Sequence, residues 1–245
     1  MDILKVVSHL MNYPTQDMID NADELREVIA SAREIPPASR QQITDLLNTL
    51  CDRDLMDVQE EFGNLFDRGR SLSLLLFEHV HGESRDRGQA MVNLMKVYSE
   101  NGFHISVREL PDYIPLYLEY LGQRPDLEAR EWLADVAPIL ANISARLTER
   151  KSLYHCLFDA LLIISGANLD IADIQTTVAK EPVDHSLEAL DKIWEEEAVT
   201  FGGDAVSGGC PTTNKPAGKQ QVQPSVKWVD AAASSQAKQN TPRVL

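Results

Sequence analysis

Apolar residues recur every three or four positions along most of the chain, the spacing that places them on one side of an α-helix. The first such stripe consists of Ile3, Val6, Val7 and Leu10. The pattern predicts helices over residues 3–10, 18–29, 43–50, 54–66, 72–79, 84–101, 113–121, 126–147, 152–165, 170–179 and 186–200. No segment of useful length alternates apolar and polar residues as a half-buried strand does. The sequence therefore predicts an all-α fold.

The helix predicted at 113–121 is apolar almost all the way round, with Asp112 as its candidate N-cap. This helix and the one predicted at 72–79 present more Leu, Phe, Ile and Tyr than one core contact requires. Two explanations stay open. Either both helices are buried inside a bundle, or they line a groove that receives a partner helix. In the second case Glu119 is the carboxylate expected to face a basic residue of that partner.

The composition changes at residue 202, after which Gly, Pro, Ser, Gln and Lys dominate, as is typical of disorder. We predict one globular, bundle-like helical domain over 1–201 and a disordered tail over 202–245. The net charge of the chain is −15, and since the tail holds five Lys/Arg and two Asp, residues 1–201 carry −18. So acidic a surface repels phosphate backbones. A nucleic-acid partner is excluded and a cationic partner is favoured.

The cysteines and the N-terminus indicate a cellular compartment. Cys51, Cys156 and Cys210 are too few and too scattered for a disulfide framework or a thiolate metal site, which favours a reducing cytoplasm. The N-terminus lacks the basic flank and the cleavage site of an export signal. No segment reaches the ~18 apolar residues of a membrane span. We predict a cytoplasmic protein that does not insert into the membrane.

The segment EHVHGE at 78–83 contains residue types that bind divalent metals. A metal-dependent enzyme that uses His79 and His81 is therefore the alternative function. However, positions two apart on a helix point about 200° away from each other, and no third ligand cluster is evident. The favoured interpretation has these side chains bonding helix ends and neighbouring arginines. No metal ligand or catalytic residue is assigned, and the chain is predicted not to be an enzyme.

Two Arg/Asp/Gly clusters, at 67–70 and 85–88, flank the same region. A phosphate site is disfavoured because no Gly-rich loop leaves a strand. Arg68 and Arg70 are expected to pair with Glu78, Glu83 or Asp86 and so fix the angle between two helices. The predicted structural ionic cluster consists of Asp67, Arg68, Arg70, Glu78, Glu83, Arg85, Asp86 and Arg87.

Five segments give the chain a family resemblance. They are LFDRGRS at 65–71, SLLLFEHVHGESRDRGQAM at 73–91, RELPD at 108–112, PLYLEYL at 115–121 and WEEE at 194–197. Together they closely resemble the NarJ family, the assembly chaperones of respiratory nitrate reductase, in order across residues 1 to about 201.

The resemblance implies a helical fold of the redox-enzyme maturation chaperone type. It also implies a chaperone that binds the apo catalytic subunit of nitrate reductase at its N-terminal segment, keeps it competent for molybdenum cofactor insertion and delays its membrane docking. The chaperone would hold no cofactor stably, and molybdenum cofactor biosynthesis proteins are further candidate partners. A carrier of the cofactor itself is the third hypothesis, disfavoured by the acidic domain.

The resemblance also suggests which residues contact the client. The wider chaperone class has an Asp-His pair that opens the helix lining its peptide site. Asp112 matches the Asp, whereas Tyr113 replaces the His. The residues predicted to bind the client peptide are Leu75, Phe77, Asp112, Tyr113, Leu116, Tyr117, Glu119 and Tyr120.

Overall fold

The computed structural model describes residues 1–81, 86–106 and 109–182 and the single residues 184, 186, 189 and 191. The chain divides into two units, Met1–Ala198 and Val199–Leu245, and all described residues belong to the first. The predicted tail lies outside the described residues, as does nearly all of the helix predicted at 186–200. The disorder of the tail and the boundary at residue 201 stay predictions.

Helices account for most of the described residues. They are α1 Asp2–Leu10, α2 Gln16–Asp20, α3 Ala22–Ser31, α4 Pro37–Asp52, α5 Leu55–Phe66, α6 Leu76–His81, α7 Asp86–Glu100, α8 Ile114–Gly122, α9 Asp126–Glu149, α10 His155–Ser165 and α11 Ile171–Val178. Apart from one antiparallel bridge between Leu75 and Tyr113, these residues form no β-structure. The prediction of an all-α fold is confirmed.

Three of the predicted helices differ most from the observed ones. The helix predicted at 43–50 begins six residues earlier, because Pro37 takes the first position of α4. The helix predicted at 18–29 is two helices, because the Thr15 side chain accepts the Met18 N–H and starts α2, and Asn21 then separates α2 from α3. The helix predicted at 72–79 begins only at Leu76. Its expected first residues run beside the start of α8, where the Leu74 carbonyl accepts the Ile114 N–H at 2.8 Å. The sequence contains no local sign of this pairing.

The core lies where α9 packs along α10 and where α1 packs against α8. Small buried residues of α9, such as Ala137 and Ala141, allow a close approach of neighbouring helices. The Ser8 hydroxyl of α1 donates to the Pro115 carbonyl of α8 at 2.6 Å. No helix among the described residues is both long and apolar enough to cross a bilayer.

Candidate functional site

A partly exposed apolar groove of about 240 Å³ lies between α6, α7, α8 and α9. We call it the α6–α9 groove. It is lined by Leu76, Phe77, Val80, Leu94, Tyr117, Trp132, Asp135, Val136 and Ile139. Val80 is 58% exposed, so apolar surface of the groove faces solvent. An exposed apolar concavity is a typical site for apolar groups of another molecule.

Aromatic residues form the floor of the groove. The Tyr117 hydroxyl donates to the Trp132 carbonyl at 2.8 Å, and the centroids of the two rings lie 5.9 Å apart. Burial raises the pKa of Tyr117, so this hydroxyl stays protonated and remains a donor. The Tyr120 ring, which does not line the groove, packs edge-on against Trp132 with centroids 5.6 Å apart. These contacts fix the floor before any ligand arrives, which lowers the entropic cost of binding.

Asp112, whose side chain is buried with 0% exposure, fixes the start of α6. Its Oδ2 accepts the Phe77 N–H at 3.1 Å, and its backbone carbonyl accepts the Leu76 N–H at 2.9 Å. The prediction that Asp112 caps its own helix is wrong, because Tyr113 is the residue that precedes α8 and no side chain caps α8. Asp112 instead satisfies free N–H groups in the first turn of α6.

Arg87 of α7 joins this carboxylate to α6. Its guanidinium lies 3.8 Å from Asp112 Oδ2 and 3.3 Å from Glu78 Oε1. Burial raises the pKa of Asp112, while the Phe77 N–H and the Arg87 charge oppose that rise. Arg87 therefore ties α7 to α6 and to the segment that precedes α8.

The predicted structural ionic cluster is described only in part. Glu78 and Arg87 form an ion pair. Asp67, Arg68 and Arg70 have exposed side chains just after α5, and Asp86 is exposed at the first position of α7. Glu83 and Arg85 lie outside the described residues. The role of the whole cluster stays a prediction.

A second ionic cluster, which the sequence analysis missed, joins the end of α9 to the loop after α5. Arg146 donates twice to Glu181, at 2.7 and 2.8 Å, and once to the Ser71 carbonyl at 2.9 Å. Asp184 accepts from Arg150 at 2.8 Å and from the Ser71 N–H at 3.1 Å. Hydrogen bonding to Arg146 lowers the pKa of Glu181. The partners are up to 113 positions apart, so no local pattern could predict these pairs.

Comparison with known proteins identifies the family of this chain. Residues 32–158 match the family model described as nitrate reductase delta subunit. The chain is 46% identical over 210 residues to the nitrate reductase molybdenum cofactor assembly chaperone NarJ of Escherichia coli strain K12, covering 86% of this chain and 89% of that protein. The chain belongs to the NarJ family.

Two further comparisons concern NarW and a solved structure. NarW of E. coli strain K12, named as a chaperone of the same type, is 46% identical over 201 residues, which are 82% of this chain and 84% of NarW. A crystal structure from Archaeoglobus fulgidus, described as a redox enzyme maturation protein, is 24% identical with a TM-score of 0.47, over 65% of this chain and 89% of that one. NarJ-family proteins are assembly chaperones and not catalytic enzymes. The predictions of the family, of a chaperone and of no enzymatic activity are confirmed.

In this NarJ-family chain, two of the eight residues predicted to bind the client line the α6–α9 groove. They are Phe77 and Tyr117. Leu116 and Tyr120 are buried in the core, and Leu75 and Tyr113 are half-buried at the bridge that joins their backbones. Asp112 is buried beneath the start of α6. The eight residues therefore do not form one exposed face, and their role in client binding stays a prediction.

The carboxylate at the groove is Asp135 and not Glu119. Glu119 is exposed on α8 but does not line the groove, because it lies two positions from Tyr117 and so on the far side of the helix. Trp132, Asp135 and Val136 belong to the helix predicted at 126–147, whose apolar pattern includes Trp132, Val136 and Ile139 together with the buried Leu133 and Leu140. Trp132, Val136 and Ile139 form a second stripe beside the buried one, and this pattern could have revealed the groove.

The His79 ring binds the backbone of its own segment. Its Nε2 lies 2.8 Å from the Ser73 carbonyl, and burial, as the largest cause, lowers the pKa of His79. The side chain of His81 lies outside the described residues. Among the residues that the structure describes, no three His, Cys, Asp or Glu side chains are grouped to hold a metal ion.

We expect His79→Gln to reduce the loss of stability on acidification from about pH 7 to pH 5. Because the folded protein binds a proton on this ring less readily than the unfolded chain, the stability from the neutral ring is complete above the ordinary pKa of 6.5 and is lost as the pH falls. Glutamine keeps an N–H donor for Ser73 but does not titrate. Urea unfolding at pH 5, 6 and 7 measures the difference, and equal losses for both proteins would contradict it.

Two larger cavities carry more polar groups than the α6–α9 groove. One of about 550 Å³ lies between α9, α10 and α11, where the Ser144 hydroxyl donates to Asp159 at 2.5 Å and His155 Nδ1 lies 2.8 Å from the other Asp159 oxygen. These polar groups bond one another and join α9 to α10. The other, of about 730 Å³, is lined mostly by charged residues, including the Arg53–Glu61 ion pair.

Proposed function

We propose that this chain is a chaperone that binds the apo catalytic (alpha) subunit of a respiratory nitrate reductase at that subunit's N-terminal segment. It keeps the subunit competent for insertion of the molybdenum cofactor and delays its docking on the membrane until insertion is complete. It works in the cytoplasm and holds no cofactor stably. Molybdenum cofactor biosynthesis proteins are further proposed partners. The names of its NarJ and NarW relatives support this proposal.

The α6–α9 groove is the proposed site for the client segment. The observation that carries the assignment is exposed apolar surface in a concavity, together with a carboxylate, Asp135, among its lining residues. Each Å² of apolar area that the client buries there contributes about 25 cal/mol before the cost of ordering the segment. The groove is small, so it accommodates one or two large side chains and not a folded domain.

The charge of the chaperone favours the same client. Residues 1–201 carry −18, which attracts a basic segment at long range and raises its rate of encounter. The negative charge raises the rate at which the client segment meets the chaperone, and apolar contacts in the groove stabilise the complex. The complex therefore forms fast and has a modest, reversible affinity. Reversibility is what a chaperone needs, because the client must leave once it has been assembled.

Val80 and Val92 offer a matched test of this site. Both are exposed valines, at 58% and 57%, but only Val80 lines the groove. We expect Val80→Arg to weaken binding of a peptide copied from the catalytic subunit's N-terminus at least tenfold, about 1.4 kcal/mol, because a charged group replaces apolar contact and repels a basic peptide. Val92→Arg introduces the same charge outside the groove and is expected to change the affinity little.

Isothermal titration calorimetry of both variants and the wild type measures these affinities, and thermal unfolding confirms that each variant is folded. No binding of the peptide to the wild-type chaperone would refute the proposed client. Equal binding by the wild type and both variants would place the client site elsewhere.

A further inference from the structure

We infer that Asp135 makes the α6–α9 groove selective for one kind of client segment, a helix with a large apolar residue and a Lys or Arg three or four positions away. The inference rests on the proposed function, because it specifies the ligand of the same site. Asp135 is a specificity-determining residue in this scheme.

Charge is concentrated at one point of the groove. Among the described residues that line it, only Asp135 is charged. Its side chain is exposed and forms no ion pair with a described residue. Glu128 on the same helix, in contrast, is paired with Arg124 at 3.0 Å. Asp135 is therefore available to an incoming cation, whereas Glu128 is already occupied.

The spacing along α9 sets the pattern that the groove can recognise. Trp132, Asp135, Val136 and Ile139 lie at relative positions 0, 3, 4 and 7 and therefore share one face of the helix. At 1.5 Å per residue this face is about 10 Å long, or roughly two helical turns. A side chain seated beside Ile139, four residues and so about 6 Å along α9 from Asp135, places the next turn of a partner helix beside Asp135. A basic residue three or four positions from the apolar anchor then reaches the carboxylate.

A second carboxylate near Asp135 strengthens the preference of the groove for a basic client residue. Glu131 lies one turn before Asp135 and is also exposed, so the rim of the groove on α9 is negative. A partner with an acidic residue at this point meets two carboxylates in addition to the acidic domain. Such repulsion rejects acidic amphipathic helices that would otherwise fit an apolar groove.

Asp135→Asn and Glu119→Gln test this inference. Each removes one exposed negative charge, but only Asp135 lines the groove. In calorimetry with the catalytic subunit's N-terminal peptide, Asp135→Asn is expected to weaken binding about three- to tenfold at low salt and much less at high salt, where screening already suppresses the pair. Glu119→Gln is expected to bind within about twofold of the wild type at both salt concentrations, since it alters only the long-range field.

Charge reversal completes the test. Asp135→Lys should bind the natural peptide poorly and should recover binding when the Lys or Arg nearest the apolar anchor of the peptide is replaced by Glu. If the wild type binds the peptide but Asp135→Asn binds equally well, the selectivity inference fails while the proposed function stands. If Glu119→Gln weakens binding and Asp135→Asn does not, the carboxylate predicted from the sequence is the correct one. If the wild type does not bind the peptide, the proposed function itself fails.

Discussion

Arg87→Ala is expected to lower the free energy of unfolding by about 3 kcal/mol, because it leaves a buried carboxylate without its cation. The Arg87 guanidinium lies 3.8 Å from Asp112 Oδ2 and 3.3 Å from Glu78 Oε1. Glu78 is partly exposed and can turn to solvent when Arg87 is removed. Asp112 cannot turn to solvent, because it is buried with 0% exposure and accepts the Phe77 N–H in the first turn of α6.

The loss should be larger at pH 8 than at pH 5. The pKa of Asp112 is raised by burial, so its contribution to stability is complete below the ordinary value of 3.8 and is lost as the pH rises through the folded-state pKa. Without Arg87 the pKa of Asp112 rises further. The buried, ionised carboxylate then lowers the free energy of unfolding by a larger amount at neutral pH. Urea unfolding of the variant and the wild type at both pH values measures the effect.

Two variants act as controls for Arg87→Ala. Adding Asp112→Asn should restore part of the lost stability, because a neutral amide still accepts the Phe77 N–H but needs no cation. Lys96→Ala removes an exposed pair with Glu100, 3.7 Å apart, and should cost less than about 0.5 kcal/mol. If Arg87→Ala costs no more than Lys96→Ala, the Arg87 contacts do not stabilise the walls of the groove.

Gly69→Ala is expected to destabilise the fold by about 2 kcal/mol, because two constraints act at this residue. Its φ of +81° lies in the left-handed region that disfavours a side chain. A Cβ atom there would also lie 2.7 Å from Asp184 Oδ2. Asp184 cannot move aside without breaking its hydrogen bonds to Arg150 and to the Ser71 N–H.

Gly88→Ala is the matched control. Gly88 lies inside α7, and an added Cβ atom would have no neighbour within 4 Å. Alanine is the better helix former, so this change should stabilise the protein by about 0.5–1 kcal/mol. Thermal and urea unfolding of both variants gives the comparison. If Gly69→Ala is as stable as the wild type or more stable, neither the left-handed backbone nor the contact with Asp184 constrains Gly69.

The family could be assigned from short contiguous segments of the sequence, whereas the residues of the groove depend on helices that are far apart in the chain. The comparisons with known proteins confirmed the family resemblance that these segments indicated. Only two of the nine described residues that line the groove were predicted to bind the client, Phe77 and Tyr117. Trp132, Asp135 and Val136 were not, because they come from another helix, and an amphipathic pattern states which face is apolar but not which other helix lies opposite.

The sequence by itself determined the all-α fold and most of its helices, because the three-to-four spacing of apolar residues acts within a single helical turn. It also determined the net charge. The tertiary structure alone decided where α6 begins, that Asp112 serves α6 and not α8, and that Asp135 and not Glu119 lines the groove. Each of these depends on residues far apart in the chain, as with Phe77 and Asp112, 35 positions apart, and Ser71 and Asp184, 113 positions apart. Packing brings such residues together, and no local spacing in the sequence encodes which partners will meet.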